Sequence, residues 1–396
     1  VFVLVSLAVA TPLHFLIAWR LARTGTTRRW RRGVWIGLSG AFVLMAATPL
    51  TWVLRGVHVP EAERPLLLWP SYVAMGLYSL VFTLWALREL GWLAARLLHA
   101  LGLHFEVGPA QVLPEDPSRR AALAHGLNLG VLGLSGTLAG VGAYEARRRA
   151  EVRAVKVPIP ELPASLHGFR VVQISDVHVG PTIRRDYLEP IVEAINGLRP
   201  DLVAITGDLV DGSVPFLAPH VAPLASLRAR HGVFFCTGNH DYYSGVEPWL
   251  AHLQGMGIRT LVNQGELLEH DGGRVLIAGC TDQGVGARVP GHASDVAACV
   301  PDDAARGADA RILLAHRPGS IFDAAQAGFH LQLSGHTHGG QFIPWNLVVK
   351  MVHPFSAGLD RYQDTWIYVN RGTGYFGPPV RLAVPSEITL LELVPA

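Results

Sequence analysis

Five short stretches of this sequence gather carboxylates, imidazoles and an amide. They are Ser175-Asp176-Val177-His178, Gly207-Asp208-Leu209-Val210-Asp211, Gly238-Asn239-His240-Asp241, Ala315-His316-Arg317-Pro318 and Ser334-Gly335-His336-Thr337-His338-Gly339-Gly340-Gln341. Imidazole and carboxylate donors, with no Cys or Met among them, suit Mn, Fe, Zn, Co or Ni rather than a soft copper site. Six or seven donors exceed one tetrahedral zinc, which points to a pair of metals. Two metals ~3.5–4 Å apart form the clamp used in phosphate-ester hydrolysis. Each stretch alone is weak, since an H-x-H triplet arises by chance, G-D after a strand is often a turn, and G-N-H-D can be a turn with a capping Asp. The informative fact is that five occur in order, each closing an apolar run.

The runs are Phe169–Ile174, Leu202–Thr206, Val233–Cys236, Val275–Ala278, Ile312–Ala315 and His330–Leu333. They have strand length, are rich in Val, Ile, Leu or Phe, and lack strict alternation, which suits strands buried on both faces. Helical patterns lie between some of them, at Asp186–Leu198 and Val246–Gln254. Side-by-side strands share an edge at their carboxyl ends, where ligands usually bind. The part from residue 151 to 396 therefore reads as one layered α/β domain, entered through an extended linker marked by Pro158, Pro160 and Pro163.

Residues 1–150 differ. The chain of 396 residues is 50% hydrophobic and 16% charged, where an average soluble domain carries roughly 25% charged residues. The surplus lies in Val1–Trp19, Val34–Leu54, Leu66–Leu87 and Ala121–Ala143, none of which holds Asp, Glu, Lys or Arg. Each approaches the ~20 residues needed to cross a bilayer, so about four transmembrane helices are expected, and four are too many for a cleaved signal peptide. Gly126/Gly130 and Gly136/Gly140 have G-x-x-x-G spacing, which permits close helix approach, read first as packing within this unit and second as a dimerisation face. Arg88–Phe105 mixes charge with apolar residues, as a helix along the membrane surface or a continuation of the third span would. His14, His58, His99, His104 and His125 lack ligand spacing and read as structural or interfacial. The loops after the first and third spans carry more arginine than the opposite side, which places the C-terminal domain outside the cytoplasm. The formal charge of +2 is no footprint for nucleic acid. Three cysteines, none in a C-x-x-C pair, form no disulfide framework.

The five blocks resemble the signature of the calcineurin-like metallophosphoesterase superfamily, D-x-H, G-D, G-N-H-D/E, H and G-H-x-H, from roughly Phe169 to the C-terminus. They resemble in particular the membrane-associated, bacterial YkuE-like branch. That likeness rests on the G-H-T-H-G-G-Q and L-L-A-H-R-P blocks, on Arg371-Gly372-Thr373-Gly374, on Pro379-Val380-Arg381-Leu382 and on Glu387-Ile388-Thr389-Leu390. The resemblance implies a four-layer αββα sandwich behind the transmembrane bundle. It implies two divalent ions (Mn, Fe, Zn or Mg): Asp176, His178 and His338 on the first, Asn239, His316 and His336 on the second, Asp208 bridging. His240 resembles the family acid that protonates the leaving oxygen, and Asp211 the group that orients it. Asp241 is a second candidate partner for it, the alternative being that it stabilises only the turn. Gly212 stands where protein serine/threonine phosphatases carry Arg, which disfavours that activity. Arg317, Arg371 and Arg381 are candidate phosphate contacts through forked guanidinium geometry, or else structural ion pairs.

The expected function is a membrane-bound phosphodiesterase or pyrophosphatase of a bacterial inner membrane. Relatives of this branch include hydrolases of UDP-2,3-diacylglucosamine, which implies a lipid-linked phosphoester. That precursor is cytoplasmic, whereas an extracytoplasmic domain would favour cell-envelope phosphodiesters. The alternatives are a catalytically silent metal-binding sensor on a membrane anchor, which has no use for His240, and a transporter, which the charge-free spans disfavour.

Overall fold

The structure, a computed structural model, describes residues 2–24, 27–53, 64–101, 116–300 and 307–396. The chain divides into two compact units, Val1–Ala143 with Gly377–Pro379, and Tyr144–Phe376 with Val380–Ala396.

The first unit contains helices α1 (Phe2–Ala22), α2 (Arg28–Val53), α3 (Arg64–Ala100) and α4 (Pro117–Arg147), the last running on into the second unit. All four expected spans are helical over their described residues. Among the described residues, two helices are long and apolar enough to cross a membrane, Pro65–Leu98 and Ser118–Arg147, while Leu7–Ala22 is apolar but shorter. The stretch from Arg88 continues α3 without a break to Ala100, so it is not a separate surface helix. Ile17, Leu21, Leu38, Tyr78, Val81 and Val131 form the core of this unit. His14 is buried there, with Nδ1 2.9 Å from Tyr78 Oη and Nε2 3.2 Å from Ser39 Oγ. His58 and His104 lie outside the described residues. Among the described residues the glycines of α4 do not mark a helix contact. A Cβ at Gly126, Gly130, Gly133, Gly136 or Gly140 would meet nothing within 4 Å.

The second unit holds two six-stranded sheets. The first runs β1-β12-β2-β3-β4-β5, from strands Glu151–Ile159 (β1), Arg170–Ile174 (β2), Leu202–Thr206 (β3), Val233–Cys236 (β4), Arg259–Leu261 (β5) and Glu387–Pro395 (β12). The second runs β10-β11-β9-β8-β7-β6, from Gln264–His270 (β6), Gly273–Gly279 (β7), Ala310–Leu314 (β8), Leu331–Ser334 (β9), Gly358–Tyr362 (β10) and Thr365–Val369 (β11). The apolar runs are unbroken because both faces of their strands are covered. Val171, Leu202, Ala204, Phe234, Ile277, Ile312 and Leu333 point into the core between the sheets. Their neighbours Val172, Ile174, Val203, Ile205 and Phe235 point outward onto Leu188, Ile191, Trp249 and Leu253. Those outer side chains belong to α5 (Arg185–Gly197) and the helix Val246–Gly255, close to the two helices expected. On the other side, Leu276, Ala278 and Leu313 pack with Ala324, which lies on the short helix Ile321–Gln326. The layering is α-β-β-α.

Residues 151–159 are not a free linker. They form an edge strand paired in parallel with β12, Glu151 opposite Glu387 through Ile159 opposite Pro395. Exposed, proline-bearing edge strands carry no buried run to announce them.

Candidate metal centre

β2, β3 and β4 run parallel in a register that sets Ile174 beside Ile205 and Thr206 beside Cys236. Their loops therefore leave the sheet at one level. In the second sheet β8 and β9 end together, Leu314 beside Leu333. Two bonds tie the sheets at this end: Gln173 Nε2 donates to Ser334 O (2.9 Å), and His316 Nδ1 lies 2.8 Å from Thr206 O. Asp176, Asp208, His316 and His336 thus issue from adjacent strand ends across the gap between sheets.

The loops are cross-braced by their own carboxylates. Asp176 accepts the His336 amide at 3.0 Å on each oxygen, and Asp208 Oδ1 accepts the His240 amide at 2.7 Å. Asp241 is fully engaged with backbone: its carboxylate takes the amides of Gly238 (2.8 Å), Asp208 (2.9 Å) and Leu209 (3.0 Å). It therefore clasps the second block to the third rather than orienting His240. Asp176, His178, Asp208, His336 and His338 all have φ between 49° and 71°, a region that costs a non-glycine residue ~1–3 kcal/mol and persists where surroundings over-determine it. Gly335 and Gly238 are required by close approach. A Cβ on Gly335 would collide with the Ser175 and Asp176 side chains, and one on Gly238 with Asp208.

The imidazoles are set as lone-pair donors. Asp176, His178 and His338 present three ligand atoms within 4.8 Å of one another, and so do Asp208, His316 and His336. Asn239 is buried at the start of the short helix Asn239–Tyr243, where its Oδ1 faces Arg317 at 3.3 Å. His316, whose Nδ1 faces a carbonyl, has its Nε2 buried and without a hydrogen bond, 3.2 Å from Asp208 Oδ2 but misaligned. His178 Nε2 lies 3.1 Å from His338 Nε2, which is 3.3 Å from Asp176 Oδ1. Atoms whose lone pairs converge in this way need a cation between them. The residues fit a metal pair on that ground. Burial, with His316 and Arg317 nearby, pushes His336 down to about 2, and burial with His178 lowers His338, which keeps both rings in the neutral form a metal requires.

His240 is a third neighbour of His178 and Asp208, but it is held differently. Its Nδ1 contacts Asp211 Oδ1 at 2.6 Å, while His178 Nδ1 contacts Asp211 Oδ2 at 3.1 Å. One carboxylate thereby fixes the ring orientation and tautomer of both histidines through their Nδ1 atoms. Burial pulls His240 down, but the Asp211 charge and hydrogen bond outweigh it and raise the ring to about 9. Phe376, about half exposed, lies 4.7 Å from the His240 ring and 5.2 Å from His178 (centroids), and Tyr243 lies 5.4 Å from His240. The Gln341 amide clamps the Phe376 backbone from both sides, accepting its N–H at 2.9 Å and donating to its carbonyl at 3.2 Å.

The three arginines part company. Arg317 stands at the centre, with Nη1 3.1 Å from His336 Nε2, and its Nε donates to Asp282 at 2.8 Å. Arg381 has no exposure and points its donors at the carbonyls of Gly374 (3.1 Å) and Val384 (3.1 Å). That guanidinium is taken up by backbone and by the His338 ring, whose Nδ1 lies 3.4 Å from its Nη2, so the expectation that it meets phosphate gives way to a role in bracing the site. Arg371 is partly exposed beside the His338 loop, where its Cγ would sit 3.4 Å from a Cβ on Gly339. Asp282 escapes notice in the sequence because Cys280-Thr281-Asp282 lacks a neighbouring His or Asn. The signal is its place after a buried strand, β7, like Asp176 after β2.

The sequence pattern of the calcineurin-like phosphoesterase family matches residues 169–340. YkuE of Bacillus subtilis, a metallophosphoesterase, is 30% identical over 277 residues, 65% of this chain and 92% of YkuE. The chain belongs to the calcineurin-like phosphoesterase family. Among other members, a transmembrane protein with metallophosphoesterase domain from Danio rerio is 40% identical over 268 residues, 66% of this chain. The chain spans 61% of that relative's length. The NAD nucleotidase of Haemophilus influenzae superposes with a TM-score of 0.38 at 16% identity, over 52% of this chain and 45% of that one. At that level nothing about activity follows.

Proposed function

We propose that the protein is a membrane-anchored dimetal phosphoesterase that hydrolyses phosphodiester or pyrophosphate bonds, with residues 1–150 as its anchor and 151–396 as the catalytic domain. The observation that carries this reading is the convergence of lone-pair donors from five loops beside a histidine clamped by a carboxylate of its own. Asp176, His178 and His338 would hold one ion, Asn239, His316 and His336 the other, with Asp208 shared. Ions of the Mn, Fe, Zn or Mg kind, bound there, supply Lewis-acid charge for phosphate oxygens and acidify water.

The chain's own residues do the rest. Arg317, braced by Asp282, presents its guanidinium to a phosphate oxygen beside His336, with Arg371 at the rim. His240, steered by Asp211 through Nδ1, carries a proton on Nε2 and gives it to the departing oxygen. Such a positioned acid contributes ~10²–10⁴-fold, most for poor leaving groups. Phe376 covers His178 and His240 and limits water at the proton being moved. The apolar helices support a lipid bilayer and a lipid-linked phosphoester as partners. The arginine bias supports a domain outside the cytoplasm of a bacterial inner membrane, on cell-envelope phosphodiesters. UDP-2,3-diacylglucosamine, the substrate of resembling hydrolases, is the test compound for the opposite side.

The purified full chain should hydrolyse bis-p-nitrophenyl phosphate with Mn²⁺. Asp208→Asn should abolish turnover, whereas His240→Ala should lower it while keeping bound metal. Metal binding without cleavage of any diester or monoester would favour the silent sensor instead.

A further inference from the structure

One apolar surface of the second unit is not used by this chemistry. The helix Trp345–Val352 follows the Gly335–Gln341 block and buries none of its residues. Trp345, Leu347, Val348, Met351 and Val352 are exposed, Met351 at 86%, and so is Ile343 just before them. Full burial of such a side chain is stabilising. A contiguous group left bare marks an interaction surface.

Three observations select the partner. Among the described residues the chain carries two helices long and apolar enough to cross a membrane, and α4 ends at Arg147, just before β1 begins at Glu151. A bilayer is therefore within a few residues' reach of the second unit. The helix also has interfacial chemistry: Trp345 combines an apolar body with a polar edge, and Lys350, its one charged residue, can extend its ammonium to water while its stem stays in lipid. No Asp or Glu occurs from Leu331 to Leu359, so no carboxylate of this segment opposes anionic headgroups. Third, the surface is continuous with the site, because the His353 ring at the helix end lies 6.1 Å from that of His336.

We propose that the Trp345–Val352 helix seats in the headgroup layer of the bilayer that anchors the chain, so that the site works on phosphoesters presented at that surface. The seat rests on the membrane-anchored part of the function proposed above. Its test is separate from hydrolysis.

All three cysteines are buried, so Met351→Cys in the full chain offers one exposed thiol for an NBD dye. In nanodiscs of phosphatidylethanolamine and phosphatidylglycerol, that dye should lose emission to lipids bearing a nitroxide near the headgroup and resist aqueous iodide. A dye at Glu193→Cys, on the exposed side of α5, gives the reference response. Quenching by iodide but not by lipid would overturn the proposal. So would protection from both quenchers that appears only in discs holding two copies, which would make a second chain the partner. The double variant Leu347→Asp/Met351→Asp should hydrolyse soluble bis-p-nitrophenyl phosphate normally and lose turnover of hexadecyl p-nitrophenyl phosphate doped into the discs. Equal rates on both substrates would also overturn it. If neither substrate is cleaved by any form yet the dye is lipid-quenched, the seat stands and the phosphoesterase reading falls.

Discussion

Replacing Gly238 by Ala adds a single methyl group at the carboxylate assigned as the bridge. The backbone there, φ −108° and ψ 176°, suits any residue, so the substitution carries no conformational penalty of its own. Its cost is collision. The new Cβ would lie 3.0 Å from Asp208 Cγ and nearer still to Oδ1 and the backbone nitrogen, whereas ordinary Cβ contacts begin at 3.4 Å. Clearing the oxygen displaces Asp208 by on the order of 1 Å. That shift strains the bond from the His240 amide to Oδ1 and those from the Asp208 and Gly238 amides to the Asp241 carboxylate. A displacement of that size costs about 10²-fold in turnover when it disorders a reacting geometry. Gly238→Ala should therefore fold, bind Mn²⁺ more weakly by isothermal titration, and hydrolyse bis-p-nitrophenyl phosphate about a hundredfold more slowly. Wild-type affinity and rate in a folded Gly238→Ala protein would refute the idea that Asp208 is held by contact with this glycine.

Asp282→Asn removes the charge bracing Arg317 from a carboxylate with no side-chain exposure. Metal affinity or turnover should fall roughly 10–100-fold, as for other groups that orient ligands, and an unchanged metal titration would count against it. A third expectation concerns pH. His330 is depressed to about 4, first by burial and then by Arg311, from its usual 6.5. Between those values the unfolded chain binds the proton and the folded one does not, so this contribution is intact above pH 6.5 and lost as pH falls toward 4. It amounts to at most ~1.4 kcal/mol per pH unit. Denaturant midpoints at pH 7 and pH 5 should converge in His330→Gln, and an undiminished slope in that variant would assign the acid sensitivity elsewhere.

The parts of the fold legible in the sequence are those where a doubly buried strand runs straight into polar chemistry. Ile174, Thr206 and Cys236 close apolar runs, and Asp176, Asp208 and Asn239 follow within three residues. Roles set by long-range packing are not legible. Arg381 reads like Arg317 in a string of letters, yet one is sealed among carbonyls behind His338 and the other stands partly open beside His336. Asp241 sits beside His240 in sequence but spends its carboxylate on three amides. β1 is exposed over its first residues and finds its neighbour only in β12, a pairing with no local signal. The glycines of α4 show the converse, a motif that reads as a helix contact and meets open space.

The place of β12, between β1 and β2, imposes an order on biosynthesis. The strand that emerges right behind the last apolar helix has no sheet to join until Glu387–Pro395 has left the ribosome. At ~5–20 residues per second that interval is roughly 10–50 s. A nascent chain thus waits with an open seam, which only β12 can close.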